Sequence, residues 1–206
     1  MIRAAFYLDG FNIYHALDDL NRPHLKWLDW QALACRLIPS RDEIVSRVVY
    51  CSAQRTDKPD RLIRHRRYVS ALEATGVVCG MGNFSTERRF CRSCGADWDA
   101  PVEKQSDVNL ALAMVQDGYD DVFDHAYLVT ADTDQVPAVE LVRGRFPAKR
   151  VTSVVITGRR HNNALLRACG DNKRTISIAD LEASLLPKLI AGPSAILRPT
   201  AYDPPA

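Results

Sequence analysis

Asp132 and Asp134 stand two residues apart, directly after the apolar run Tyr127-Leu-Val. Asp9 stands in the same way at the end of Phe6-Tyr-Leu, with Asn12 just beyond, and Asp107 follows Ser106 at the head of a periodic stretch. Each acid has an ordinary structural role. Asp9 before Gly10 suits a turn, either Asp132 or Asp134 suits a helix cap, and Asp107 suits the first turn of a helix, where the dipole favours negative charge. Taken together they suggest more. In an open parallel sheet, ligands bind outside the carboxyl ends of the strands, and carboxylates gathered there repel one another unless a cation neutralises them. Hard oxygen donors call for a hard divalent cation. Such an ion lowers the pKa of a bound water and offsets the charge of an in-line displacement at phosphorus. Phosphodiester hydrolysis is the chemistry this set would serve.

The elements that must position these acids follow from periodicity. Residues 3–9 read as a first strand, with Asn12 capping a helix over 13–20. Asp29 caps a helix through Ile38, on which Trp30, Leu33, Ala34 and Leu37 share a face, and Pro39-Ser40 ends it. Ile44 to Ser52 is a β-branched second strand. A helix from Asp57 to Thr75 stops at Gly76, with His65 on its apolar stripe, and Val77 to Met81 is a third strand. The polar residues 83–105 break this rhythm and read as an inserted knuckle around Cys91-Arg-Ser-Cys94. Ser106 then caps a strongly periodic helix with Val108, Ala111, Leu112 and Val115 on one face. A strand over 125–130, a helix from about Asp134, a strand over 151–157, a short helix over 162–168 and a strand over 174–178 follow. Residues 187–206 hold several prolines and read as a loose tail. Strands alternating with helices indicate an α/β fold with a largely parallel sheet.

Composition narrows the field. A chain of 206 residues that is 47% hydrophobic and 25% charged suits one globular domain. The net charge of +2 supplies no global attraction to nucleic acid, so any such attraction must be local. No apolar run of membrane-spanning length occurs, the N-terminal residues lack a signal-peptide layout, and six irregularly spaced cysteines do not form a secreted framework. The expected setting is the cytoplasm, with reduced thiols. Neither G-x-G-x-x-G nor a P-loop is present, which argues against a dinucleotide or NTP site. A haloacid dehalogenase-type phosphatase would need Asp two residues after Asp9, where Phe11 stands.

Three segments carry a family resemblance: Leu8-Asp-Gly-Phe-Asn12, Glu103-Lys-Gln-Ser-Asp107 and Val129-Thr-Ala-Asp-Thr-Asp134. In this order and separation they resemble the NYN domains, a branch of the PIN-like nuclease superfamily, over about residues 3–160. The resemblance implies a three-layer α/β/α fold with a PIN-like sheet of five or six strands. Together with the break in rhythm and the proline-rich end, the expected layout is a domain over 1–180 with the cysteine insertion at about 83–105 and a tail over 181–206. The resemblance also implies a Mg²⁺- or Mn²⁺-dependent ribonuclease in which Asp9, Asp107, Asp132 and Asp134 are catalytic metal ligands and Asn12 and Thr130 support them. The chain departs from the family pattern in having Thr130-Ala131 for Ser-Gly and Gln135 for an apolar residue. A catalytically weak or inactive RNA-binding, regulatory domain is the alternative reading.

RNA binding needs cations along the backbone. Arg61 and Arg64, with Arg66 and Arg67, lie on the third predicted helix; Arg88, Arg89 and Arg92 lie on the insertion; Arg159 and Arg160 follow the fifth strand. Phe90 and Trp98 offer stacking faces or anchors for the insertion. His65 reads as a packed residue rather than a ligand. Cys91 and Cys94 have the spacing of half a zinc site, which needs four ligands. Cys79, His161 or the same pair from a second copy in a homodimer would have to complete it, and free thiols are the other reading. Cys35, Cys51 and Cys169 read as core.

Overall fold

The computed structural model describes residues 1–38, 42–55, 58–191 and 194–205; the helix stop expected at Pro39-Ser40, the helix start expected at Asp57 and the terminal Ala206 lie outside them. Seven strands form the main sheet: β1 (Ile2–Asp9), β2 (Glu43–Ala53), β3 (Val78–Phe90), β4 (Asp97–Lys104), β5 (His125–Val129), β6 (Arg150–Ile156) and β7 (Lys173–Ile176). Their order is β4-β3-β2-β1-β5-β6-β7, and every neighbouring pair is parallel except β3 and β4.

The apolar runs are strands because both of their faces are covered. On β1, Ala4, Phe6 and Leu8 join one core while Ala5 and Tyr7 join the other. The first core packs under α1 (Gly10–Asp19), α2 (Trp30–Leu37), α3 (Pro59–Ala74) and α7 (Ile178–Glu182). The second packs under α4 (Ser106–Tyr119), α5 (Val136–Arg145) and α6 (Asn163–Ala168). Phe6 stacks on Tyr127 of the adjacent strand, centroids 4.5 Å apart and planes 6° from parallel. Two such fully buried rings each contribute roughly 2–3 kcal/mol of burial, which pins β1 against β5 at the site's position.

The insertion departs most from expectation. The third strand does not stop at Met81; it runs on to Phe90 and returns as β4, pairing Asn83 with Lys104 through to Phe90 with Asp97. This hairpin is the source of the seventh strand. Its outer half is exposed on both faces, so no alternation of apolar and polar residues marks it as a ribbon in the sequence. Gly82 is required where the hairpin passes the next helix, because an added Cβ would fall 2.9 Å from the Ser106 amide nitrogen and closer still to the Lys104 carbonyl oxygen.

The C-terminal segment also differs from the loose tail expected of it. Leu189–Ile190 (β8) pairs with Ile196–Leu197 (β9). Ile190, Ile196 and Tyr202 pack against Trp27, Ala71 and Leu186. The sequence lacks periodicity here because these contacts come from single side chains rather than from a face. Cys51 and Cys169 are core as expected, whereas Cys35 is exposed, since Trp30, Leu33, Ala34 and Leu37 take the inward face of α2.

Candidate active site

The chain builds the sheet outward from β1 through β2 to β4, then returns through α4 to place β5 on the other side of β1. The point where strand order reverses therefore lies between the carboxyl ends of β1 and β5, where open α/β sheets bind ligands. Asp9 ends β1, Thr130 and Asp132 follow β5, and Asp107 opens the returning helix α4.

Asp9 is buried and fully engaged. Its Oδ1 accepts the backbone N–H groups of Phe11 (3.1 Å) and Asn12 (2.9 Å), so Asp9 rather than Asn12 caps α1 and the helix starts at Gly10. The Thr130 hydroxyl donates to Asp9 Oδ2 at 2.7 Å, and Thr130 Oγ1 accepts the Asp132 N–H at 3.0 Å. Asp132 Oδ1 in turn accepts the Asp134 N–H at 3.0 Å, capping the 3-10 turn Thr133–Gln135 that leads into α5. A relay of hydrogen bonds thus runs from β1 to the loop after β5.

Asp107, Asp132 and Asp134 each present a carboxylate oxygen, all within 4.8 Å of one another. Asp9 lies outside this group of three. It still acts on it: burial first, then repulsion from Asp9, Asp132 and Asp134, pushes the Asp107 carboxyl up to about 6. Burial likewise raises Asp9 despite its backbone and Thr130 hydrogen bonds. All donors are hard oxygens, and their charges are mutually repelling; this donor set fits a divalent cation. Glu103 is an acid of this region that motif reading left without a role. It lies on β4, accepts a hydrogen bond from Ser106 Oγ, and is raised by burial and then by Asp107 and Asp9. It lies near the end of β4, three residues before α4 begins. Ser106 is accordingly the first residue of α4 and not its cap; the cap position is Gln105, at a left-handed φ of 78°.

Residues 3–175 match the NYN domain family. The chain belongs to that family. It is 26% identical to "6-hydroxy-3-succinoylpyridine 3-monooxygenase HspA" of Pseudomonas putida (strain DSM 28022 / S16), covering 98% of this chain and 75% of that one. A crystal structure of a protein of unknown function from Vibrio parahaemolyticus RIMD 2210633 superposes with a TM-score of 0.55 at 21% identity, covering 90% of this chain and 96% of that one. That likeness bears on the fold of the NYN domain, a three-layer α/β arrangement.

The NYN domain's two departures from its family pattern have structural roles. Thr130 supplies the hydroxyl of the relay just described. Gln135 is buried, and its Nε2 donates to the Asp107 carbonyl at 3.0 Å, tying the start of α4 to the 3-10 turn. Its Oε1 is buried and has no hydrogen-bond partner among the described residues.

The predicted basic residues divide. Arg61 and Arg64 line a cleft beside α1. Arg88 is paired with Asp97 across the hairpin, and Arg159 with Asp19 at 2.5 Å, so these two are partly neutralised. Arg89 and Arg160 are exposed. Arg66 donates to Gln54 at 3.0 Å. Phe90 and Trp98 are exposed on the hairpin and do not anchor it. His65 lines the same cleft as Arg61, and burial lowers its pKa. Cys91 and Cys94 sit at the hairpin tip, where Cys91 is lowered chiefly by the N–H groups of Cys94 and Ser93. Among the described residues no third Cys, His, Asp or Glu joins them in a metal-sized group, since the one such group is the Asp107, Asp132, Asp134 set. Cys79 is held back on β3, next to β2.

Proposed function

We propose that this NYN domain is a metal-dependent ribonuclease that hydrolyses RNA phosphodiester bonds at the carboxyl edge of its sheet. The observation that carries the reading is the convergence of Asp107, Asp132 and Asp134 within 4.8 Å at the reversal of strand order. Asp107, Asp132 and Asp134 would hold Mg²⁺ or Mn²⁺, which when bound supplies an activated water and offsets charge on the phosphate. The chain's own residues fix the geometry. Asp9 and Thr130 hold the Asp132 loop against β1, and Gln135 holds Asp107 against that loop. Asn12 stands on the first turn of α1 beside Asp9, where it would face the incoming strand of RNA. Exposed Asp134 forms the open side of the set.

The test is cleavage of single- and double-stranded RNA with Mn²⁺, Mg²⁺ or EDTA, with Asp132→Asn beside the wild type. Cleavage that requires both metal and Asp132 is expected, with the variant down at least ~10²-fold, the order of a lost electrostatic group at a reacting centre. RNA binding without cleavage would instead mark a regulatory domain. A second reading comes from the Pseudomonas relative, whose name specifies oxygenation of a substituted pyridine. Oxygen uptake with that pyridine and an electron donor, absent in the nuclease reading, would favour it.

A further inference from the structure

A concavity of about 320 Å³ opens beside α1. Its floor is the carboxyl end of β2, at Tyr50, Ser52 and Ala53, and its walls come from α1, α3 and the C-terminal segment. Gly10 makes that floor possible: an added Cβ would fall 2.5 Å from the Tyr50 ring and 2.7 Å from Ser52 Cβ. The volume is that of a small-molecule site.

The lining has two kinds of group. Phe11, Tyr14, Tyr50, Tyr68 and Tyr202 supply aromatic surface, with Tyr50 and Tyr68 edge to face at 6.1 Å. Lys26, Arg61 and Arg64 supply positive charge, and among the described residues no Asp or Glu lines the cavity. Lys26 is offset by Asp18 and lies 4.3 Å from the Tyr14 ring centroid. Arg64 and Tyr202 both line the cleft, Tyr202 coming from the C-terminal segment. Exposed Arg61 forms no ion pair within 4.0 Å among the described residues. Aromatic faces accept a planar ring and cationic groups accept an anion; a nucleotide carries both.

Position adds to this. The cleft lies at the end of β2 and the acidic set beyond the end of β5, with β1 between them. Two strand spacings amount to about 10 Å, so one RNA strand can cross the sheet edge and reach both.

We propose that this cleft is a nucleotide subsite, stacking the base on Tyr14 and Phe11 and holding a phosphate at Arg61 and Arg64. The choice of a nucleotide rests on the nuclease reading, so the test separates the two. AMP, adenosine, inorganic phosphate and 4-hydroxybenzoate are titrated calorimetrically in EDTA, where the acidic set cannot hold phosphate through a metal. The expected result is AMP binding that exceeds adenosine and phosphate, is unchanged in Asp132→Asn, and weakens at least tenfold in Tyr14→Ala and in Arg61→Ala. Both substituted residues are exposed, so the variants should keep their fold, and circular dichroism checks it. Absence of AMP binding up to millimolar concentration, wild-type AMP affinity in either cleft variant, or binding of 4-hydroxybenzoate in preference to AMP would each overturn the subsite. Metal-dependent RNA cleavage would survive that failure. Conversely, AMP binding without any cleavage would count against the nuclease alone.

Discussion

Asp107→Asn should make the metal-free protein more stable and at the same time abolish its response to metal. The substitution keeps the shape of the side chain and removes one charge from a set whose oxygens lie within 4.8 Å. Two unit charges at that distance repel by about 0.9 kcal/mol in bulk water and about 3.5 kcal/mol at an effective dielectric of about 20. Asp134 is exposed and Asp107 half-buried, so solvent screening places the gain near the lower value, about 1 kcal/mol. For a domain of this size that is a rise in melting temperature of about 2–4 °C. The gain depends on pH in a defined direction. Asp107 titrates at about 6 in the fold instead of 3.8. Its favourable contribution is therefore complete below 3.8 and is lost as the pH rises through about 6. The variant should exceed the wild type near pH 8 and converge with it as the pH falls to about 4. Mn²⁺ at about 100 times its dissociation constant should then stabilise the wild type by about 2.7 kcal/mol and the variant hardly at all. Thermal melts of both proteins at the two pH values, with EDTA and with Mn²⁺, measure all four quantities. A variant that melts with the wild type in EDTA at pH 8, or that gains as much from Mn²⁺, would refute the electrostatic account of the set.

Two further substitutions probe the frame around it. Gly82→Ala forces a Cβ against the Lys104–Ser106 backbone, so it should cost about 1–3 kcal/mol as overpacking does. It should also weaken Mn²⁺ binding, because Asp107 moves with the start of α4; a metal titration of the folded variant checks this, and unchanged affinity would uncouple the hairpin from the site. At the opposite edge, buried Glu43 accepts from Tyr127 (3.2 Å) and lies 2.9 Å from His125 Nδ1, whose Nε2 meets Thr152 at 2.8 Å. Glu43→Ala should cost roughly 3 kcal/mol in chemical denaturation by stranding those partners, with metal binding unaffected.

The acids, their order along the chain and the α/β alternation were legible in the sequence because each depends on local pattern. An apolar run that ends in Asp marks a buried strand and its tip, and the stretch after Ser106 marks a helix, although its inward face is Leu110 and Met114 while Val108 and Leu112 are exposed. The three segments that resemble NYN domains are read the same way. What each acid does depends on distance across the sheet, which no local pattern encodes. Across the β1–β5 junction Asp9 caps α1 and accepts from Thr130, while Asp107, Asp132 and Asp134 bring carboxylate oxygens within 4.8 Å of one another. The return of an exposed ribbon, with no apolar alternation to announce it, turns the expected knuckle into a hairpin. Gln135 shows the limit most plainly: as a letter it was a departure from an apolar position, and its hydrogen bond to the Asp107 carbonyl exists only because α4 and the loop after β5 meet. The cleft of Tyr14, Arg61 and Tyr202 belongs to tertiary structure for the same reason, since its walls come from segments nearly 190 residues apart.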